Sequence, residues 1–234
     1  MRRAVFFDLY GTLIDIITDE YDPGVYSVLS RYLSYQLIKI SPERLKASYF
    51  EDIQSRLKGS NEPYPEVDVC QIFSNIMERY GNRRCAENLV EQTARLFRSL
   101  TVRRFDLFPG VYNALASLDK KWELAIISDA QWVFAEPEMA MLGLDPFFRV
   151  RVLSSRLGFK KPDVRLFDIA MKELMASPGD SVYIGDNPQK DLVGAKKAGM
   201  KFILFRPENK SYDDFKPDCH FNDYSELIKV LEDA

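Results

Sequence analysis

Carboxylates, hydroxyls and one lysine stand at the ends of short apolar runs in this sequence. Asp8 follows the run 4–7, and Thr12 stands four residues later, beyond Gly11. An apolar run of this length is typical of a strand buried on both faces. An aspartate beside a hydroxyl can form a covalent intermediate when its electrophile is held in line. An aspartate after a strand is more often a turn or capping residue, so Asp8 alone does not establish a site.

Three later stretches carry further polar groups at comparable positions. They are Ser128 and Asp129 after the apolar run 124–127, Lys161 before Pro162, and the acidic pair Asp186 and Asp191 after the run 181–184. In an open parallel sheet, ligands bind beyond the carboxyl ends of the strands. We therefore expect three strand ends and the lysine loop to meet at one place, with Asp8 and Thr12 in it.

This ordered set resembles the haloacid dehalogenase-like hydrolase superfamily, whose strand ends carry Asp-x-Asp-x-Thr, then Ser or Thr, then Lys, then an acidic pair. The resemblance covers roughly residues 1–15 and 100–208. It implies an α/β fold, a doubly wound, Rossmann-like parallel sheet with a helical cap inserted after the first strand. The expected core domain is 1–15 with 105–234, and the expected helical cap domain is 16–104.

The spacing of apolar residues agrees with this division. Four amphipathic stretches and no strand are expected between Asp15 and Arg104. After Pro109, apolar runs alternate with amphipathic stretches, which favours a parallel, doubly wound sheet. A short helix is expected from about Pro137 to Leu142.

The resemblance also implies roles for the clustered side chains. Asp8 would be the nucleophile, while Thr12 and Ser128 would donate hydroxyl hydrogen bonds and Lys161 would supply a positive charge. Phosphoryl transfer asks the protein mostly for such positioning and for neutralisation of oxygen charge. Thr12, Ser128 and Lys161 are thus predicted both as catalytic and as substrate-binding residues.

Four further residues are weaker candidates. Asp129 is a candidate substrate-binding residue, but Asp129 and Asn187 could each simply cap the segment that follows. In this fold the cap usually selects the substrate, and the first predicted cap helix has an aromatic, basic face. Arg31 and Tyr35 on that face are therefore candidate substrate contacts.

Three carboxylates, those of Asp8, Asp186 and Asp191, would face a single lysine. Such a cluster is costly unless protons or a cation neutralise it. Mg²⁺ fits, because this hard cation takes oxygen ligands and commonly binds one or two carboxylates. The resemblance implies Asp8, Asp186 and the main-chain carbonyl of Tyr10 as ligands. Asp191 would complete the metal site through a water or through Lys161.

Tyr10 departs from the usual phosphatase pattern and matches the 2-haloacid dehalogenase branch. The resemblance implies that the aspartate usual at this position acts first as a general acid towards the leaving group and then as a general base towards water. A tyrosine with an unperturbed pKa near 10 is a poor base at neutral pH. General acid–base catalysis contributes roughly 10² to 10⁴-fold. Tyr10 is therefore a catalytic candidate that predicts slow turnover.

Three functions follow from these residues. The leading hypothesis is a Mg²⁺-dependent phosphatase that acts on a small phosphorylated metabolite through an aspartyl-phosphate. The second is a metal-free 2-haloacid dehalogenase with an aspartyl-ester intermediate. Two residues argue against this second function. The dehalogenase branch typically carries a small neutral residue where this chain has Asp186, and it carries a tyrosine six places after its lysine, where this chain has Phe167. The third is a catalytically weak regulatory protein on the same fold.

Composition excludes several other classes. A net charge of −3 gives no case for nucleic-acid binding. No apolar run approaches the roughly 18 to 20 residues that span a bilayer, and no cleavable signal is expected. Three scattered cysteines suggest free thiols in a reducing cytoplasm. The expected partner is a small-molecule substrate, and the sequence leaves monomer and homodimer open.

Overall fold

The computed structural model describes residues 3–82, 84–207, 211–212 and 214–233. The strands within these residues are β1 (Ala4–Phe7), β2 (Ile14–Thr18), β3 (Val102–Leu107), β4 (Glu123–Ser128), β5 (Val150–Leu153), β6 (Ser181–Gly185), β7 (Lys201–Phe205) and β8 (Cys219–Phe221). The α-helices are α1 (Pro23–Tyr35), α2 (Pro42–Gly59), α3 (Val69–Gly81), α4 (Glu87–Thr101), α5 (Val111–Leu118), α6 (Trp132–Met141), α7 (Val164–Leu174), α8 (Val193–Lys197) and α9 (Leu227–Asp233).

Six of the strands form one parallel sheet in the order β5-β4-β1-β6-β7-β8. β1 lies in the middle, and Phe7 pairs in register with Ile126 of β4 and Ile184 of β6. The carboxyl ends of β1, β4 and β6 therefore lie side by side. This arrangement confirms the predicted α/β fold with a doubly wound parallel sheet.

Alternate side chains of β1 enter two different cores, as the pleat of a strand requires. Val5 and Phe7 pack in one cluster with residues of α5, α6 and α9. Ala4 and Phe6 pack on the opposite face with residues of α7 and α8. Both faces of the sheet are covered, which explains why these strands read as continuous apolar runs.

The four helices α1 to α4 have a hydrophobic cluster of their own, which Val133 and Phe134 of α6 also join. They are connected to the sheet by β2 and β3, which pair with each other in antiparallel register. The expectation of no strand between Asp15 and Arg104 is therefore wrong at both ends of this segment. The two strands straddle the predicted boundaries at 15–16 and 104–105, which remain a prediction.

None of the helices in the described ranges is both long enough and apolar enough to cross a membrane.

Candidate active site

The end of β1 and the end of β4 bring a carboxylate, a hydroxyl and an ammonium into direct contact. Ser128 Oγ donates a hydrogen bond of 2.7 Å to Asp8 Oδ1. Lys161 Nζ lies 2.8 Å from the same oxygen. All three side chains are buried. Parallel pairing of β1 with β4 fixes the first contact, and the loop before α7 delivers the lysine.

The Lys161 ammonium is enclosed by oxygen atoms. It lies 2.7 Å from Asp191 Oδ1 and 3.1 Å from the Tyr183 hydroxyl, which itself donates to the carbonyl of Ile127 at 2.7 Å. Burial alone would lower the pKa of Lys161, but the charges of Asp191 and Asp8 raise it well above its usual value. The lysine is therefore a fixed positive charge and not a base.

Asp8, Asp186 and Asp191 each place a carboxylate oxygen within 4.8 Å of the others. A Cβ on Gly11 would lie 3.0 Å from Asp186 Oδ1, so the glycine makes room for this carboxylate beside the nucleophile loop. Burial raises the pKa of Asp191, and Lys161 opposes that rise. Three carboxylates this close together repel one another unless protons or a cation neutralise them, and an all-oxygen donor set suits a hard divalent cation. The residues present fit a magnesium ion.

Asp129 and Asn187 hold the backbone around this cluster. Asp129 Oδ1 accepts a hydrogen bond of 2.8 Å from the Lys161 amide, and its Oδ2 lies 3.2 Å from Lys190 Nζ. Asn187 Oδ1 accepts from the amides of Gln189 and Lys190 and so caps the π-helical turn 188–192 that leads into α8. Asn187 thus has the capping role that the sequence left open, and Asp129 positions the lysine loop.

The hydroxyl of Thr12, four residues after Asp8, is unsatisfied. Its Oγ1 is buried and has no hydrogen-bond partner among the described residues. Buried polar groups are normally paired, so such an atom calls for an explanation. A bound anion at this end of the sheet would supply the missing acceptor. The main-chain carbonyl of Thr12 accepts a hydrogen bond of 2.8 Å from the hydroxyl of Tyr224, which comes from the C-terminal segment.

The side chain of Tyr10 is hydrogen-bonded outside the acid cluster. Its hydroxyl donates to Glu138 Oε2 on α6, and its ring lies under the guanidinium of Arg98 on α4. Burial and then the charge of Glu138 raise the pKa of the phenol far above its ordinary value. Tyr10 therefore stays protonated and cannot serve as a base to water.

Arg31 and Tyr35 are not brought to the cluster. Both lie on the exposed side of α1, and 83% of Tyr35 is accessible to solvent. None of their described contacts reaches Asp8 or Lys161. Their predicted role in substrate binding stays a prediction.

Four residues near the predicted site were not identified from the sequence: Tyr183, Tyr224, Arg98 and Glu138. Tyr183 could have been noticed as the one polar tip inside the apolar run that precedes Gly185 and Asp186. Arg98 and Glu138 give no such signal, because each lies within an amphipathic or apolar helix and their pairing depends on the tertiary fold.

A family model for haloacid dehalogenase-like hydrolases matches residues 5–205. A glyceraldehyde 3-phosphate phosphatase of Methanothermobacter thermautotrophicus is 33% identical over 102 residues, which cover 43% of this chain and only 45% of that relative. A glyceraldehyde 3-phosphate phosphatase of Pyrococcus furiosus is 30% identical over 249 aligned positions, covering 99% of this chain and 95% of the relative.

The fold is also similar to the crystal structure of a 2-haloacid dehalogenase from Pseudomonas syringae pv. Tomato DC3000. The TM-score is 0.68 at 24% identity, and the match covers 100% of this chain and 99% of that one. Similarity at this identity shows the fold and does not separate a phosphatase from a dehalogenase. The family model covers most of the chain and includes every residue of the cluster around Asp8, so the chain belongs to the haloacid dehalogenase-like hydrolases, as its four motifs predict.

Proposed function

We propose that this chain is a Mg²⁺-dependent phosphatase that acts on a small phosphorylated metabolite through an aspartyl-phosphate on Asp8. The observation that carries the proposal is Asp186, whose carboxylate lies within 4.8 Å of those of Asp8 and Asp191. Their combined negative charge would repel a haloacid but suits a cation and a phosphate together. Relatives named as phosphatases support the same choice.

The contacts of Asp8 indicate which of its oxygens attacks. Among the described residues, both Ser128 Oγ and Lys161 Nζ contact Oδ1. These two donors hold the carboxylate plane and leave Oδ2 as the nucleophilic oxygen. In-line attack by Oδ2 on phosphorus would break the bond to the leaving oxygen and place the phosphoryl group on Asp8.

Charge on the transferred phosphoryl oxygens would be met by groups already in place. The Thr12 hydroxyl is buried and lacks a described acceptor, so it can donate to a phosphoryl oxygen. Asp8, Asp186 and the main-chain carbonyl of Tyr10 would hold the metal, and Asp191 would support them by fixing Lys161. When bound, Mg²⁺ would neutralise the carboxylates and the phosphate oxygens.

Hydrolysis of the aspartyl-phosphate is the step for which this chain is least equipped. The side chain at position 10 is a protonated phenol donating to Glu138, so it offers no carboxylate to activate water. Loss of general base catalysis slows a step by roughly 10² to 10⁴-fold. We therefore propose that dephosphorylation limits turnover and that the enzyme is slow.

The helical segment α1 to α4 would act as a cap that excludes water from the site and contacts the substrate. The loop after α2 already reaches the segment that delivers the lysine. The Lys160 amide donates to the Tyr64 carbonyl at 2.9 Å, and the Glu66 amide donates to the Gly158 carbonyl at 3.0 Å. Closure of the cap and placement of Lys161 would therefore be linked.

A 2-haloacid dehalogenase remains the second candidate, and one observation favours it. The sequence lacks the tyrosine expected six places after the lysine, but the hydroxyl of Tyr183 lies 3.1 Å from Lys161 Nζ. A phenol beside the lysine is thus present from another strand. Asp186 still argues against this reaction, because its carboxylate would repel the carboxylate of a haloacid.

The test is a panel of phosphate monoesters assayed with Mg²⁺ and with a chelator, with 2-chloropropionate as the dehalogenase substrate. A phosphatase predicts phosphate release that the chelator abolishes. Chloride release that persists in chelator would overturn the proposal in favour of the dehalogenase. Magnesium binding without turnover of any substrate would favour the regulatory protein.

A further inference from the structure

A second group of charged side chains lies outside the acid cluster, between α4 and α6. Arg98 Nε lies 2.6 Å from Glu138 Oε1, and Arg98 Nη2 lies 3.2 Å from Glu138 Oε2. The two side chains are only 13% and 8% exposed. A bidentate pair at this depth is held in one geometry, because a charge that lost its partner there would be strongly disfavoured.

Tyr10 completes this group. Its hydroxyl donates to Glu138 Oε2, and the Arg98 guanidinium lies 5.3 Å from the centre of its ring and 5.1 Å from that of Phe134. The three linked residues come from the nucleophile loop, from the last turn of α4 and from α6. A hydrogen bond to a charged acceptor is among the stronger kinds in proteins.

The backbone of the nucleophile loop is hydrogen-bonded on both sides of Tyr10. The Asp8 amide donates to the Ile184 carbonyl, and the Leu13 amide donates to the Leu9 carbonyl, each at 2.9 Å. Tyr10 stands at the middle of this loop. Its side chain is therefore the contact that ties the middle of the loop to α6 and α4.

We propose that Glu138 and Arg98 are positioning residues, which hold the side chain of Tyr10 and thereby fix the loop between Asp8 and Thr12. Tyr10 then has a role of its own that replaces acid–base chemistry at its position. The kinetic consequence rests on the proposed phosphatase function, whereas the structural consequence does not. The network also connects the end of α4 to the loop that carries Asp8, so displacement of the helical segment would shift the position of Asp8.

Tyr10→Phe removes the link without removing bulk, and Glu138→Gln weakens it by removing the charge of the acceptor. The matched control is Tyr26→Phe, since Tyr26 is also buried and its hydroxyl donates to a main-chain carbonyl, that of Glu20, at 2.8 Å. Amide hydrogen exchange resolved by NMR reports on the loop without any need for activity. The amides of Gly11 and Leu13 report on the loop, and the amide of Ile184 in β6 is the reference for global unfolding.

Loss of the link should speed exchange at Gly11 and Leu13 by about tenfold or more relative to Ile184, the scale expected for a hydrogen bond to a charged group. The double variant should exchange no faster at Gly11 and Leu13 than Tyr10→Phe, because that single variant has already lost the link. Tyr26→Phe should leave the ratio unchanged. Unchanged exchange at Gly11 and Leu13 in Tyr10→Phe would overturn the proposal.

Activity and metal binding give the second readout. In Tyr10→Phe, kcat should fall and the Kd for Mg²⁺ measured by calorimetry should rise, each by about tenfold, while KM stays unchanged. Arg98→Lys keeps the charge but loses the bidentate geometry, and it should show the same pattern more weakly. Faster loop exchange with unaltered kcat and Mg²⁺ affinity would overturn the positioning role. Absence of phosphatase activity in the unmodified protein would instead count against the proposed function and leave the exchange result standing.

Discussion

The ring of Phe167 packs edge-on against the ring of Tyr183, with centroids 5.1 Å apart, and so holds the Tyr183 hydroxyl against Lys161. Phe167 stands where the resemblance to dehalogenases leads one to expect a tyrosine. The phenol that contacts the ammonium of Lys161 comes instead from Tyr183 in β6. A Cβ on Gly194 would lie 2.3 Å from Phe167, so this packing also requires a glycine in α8.

Tyr183→Phe should lower kcat by about tenfold, because one acceptor of the lysine ammonium is lost and the remaining groups hold it less tightly. The ring packing with Phe167 is retained, so the fold should survive. Steady-state kinetics on p-nitrophenyl phosphate measure the effect. Tyr26→Phe is the control, since it removes a buried hydroxyl whose hydrogen bond lies within the helical segment and should leave kcat unaltered. Equal activity of the two variants would show that Tyr183 has only a packing role.

The elements that carry the site were predictable because each depends on local sequence. The strands before Asp8, Ser128 and Asp186 are apolar runs, and burial on both faces of a parallel sheet requires such runs. The pair β2 and β3 was missed because its partners are far apart in the chain. Phe105, for example, pairs with Ile16. Such short, half-exposed strands are stabilised only by each other.

The start of α6 was also misplaced, because it depends on a residue that is distant in the chain. The sequence places its start near Pro137, whereas the helix begins at Trp132. The Trp132 amide donates to Ser155 Oγ at 2.9 Å, and a free amide at a helix start needs such an acceptor. Ser155 lies 23 residues further along the chain, so no local pattern could have shown this cap.

Asp186→Asn should weaken Mg²⁺ binding strongly, because it removes one of the three carboxylates that lie within 4.8 Å of one another. Hard cations depend on ligand charge, so the Kd from calorimetric titration should rise by about tenfold or more. Asp168→Asn on the exposed side of α7 is the matched control and should bind as the unmodified protein does. Equal affinities in all three proteins would show that Asp186 is not a metal ligand and would favour the metal-free dehalogenase reaction.

Gly185→Ala should disturb the site from inside the sheet. A Cβ at this position would lie 2.4 Å from Asp191 Oδ2, which is too close for a real contact, so the backbone or the Asp191 carboxylate that contacts Lys161 must shift. We expect a drop in kcat of about tenfold or more and a lower melting temperature, because a buried charge loses its partner. Gly179→Ala meets no atom within 4 Å and serves as the control. A variant with unaltered activity would mean that Asp191 is not needed where it lies.

The polar residues of the site also fall into two groups, those that local sequence predicts and those that depend on contacts between distant parts of the chain. Asp8, Ser128, Lys161 and Asp191 were predictable because they follow recognisable strands and a Lys-Pro pair. The environment of Tyr10 was not, because Glu138 lies 128 residues away in the chain. From the sequence, Tyr10 is only the absence of a general base, whereas in the structure its hydroxyl connects the nucleophile loop to α6.

The final prediction concerns the order of fast and slow steps. Attack by Asp8 retains its donors Ser128 and Lys161, whereas Tyr10 is a protonated phenol whose hydroxyl is engaged by Glu138. Formation of the aspartyl-phosphate should therefore outrun its hydrolysis. Stopped-flow assays with p-nitrophenyl phosphate should show a burst of nitrophenol that approaches one equivalent per site, followed by slow turnover. Rapid quench and mass spectrometry should locate the phosphate on Asp8.

Hydroxylamine provides an independent check on the same step. It attacks the acyl carbon of an aspartyl-phosphate, releases phosphate and leaves Asp8 as a hydroxamate. If the intermediate accumulates, hydroxylamine should therefore inactivate the enzyme progressively in the presence of substrate, without altering the size of the first burst. Asp8→Asn should abolish both phases, because an amide cannot form the intermediate. Linear product release with no burst and no response to hydroxylamine would mean that water is activated efficiently. In that case another carboxylate must supply the base, and the assignment of Tyr10 as the cause of slow turnover would be wrong.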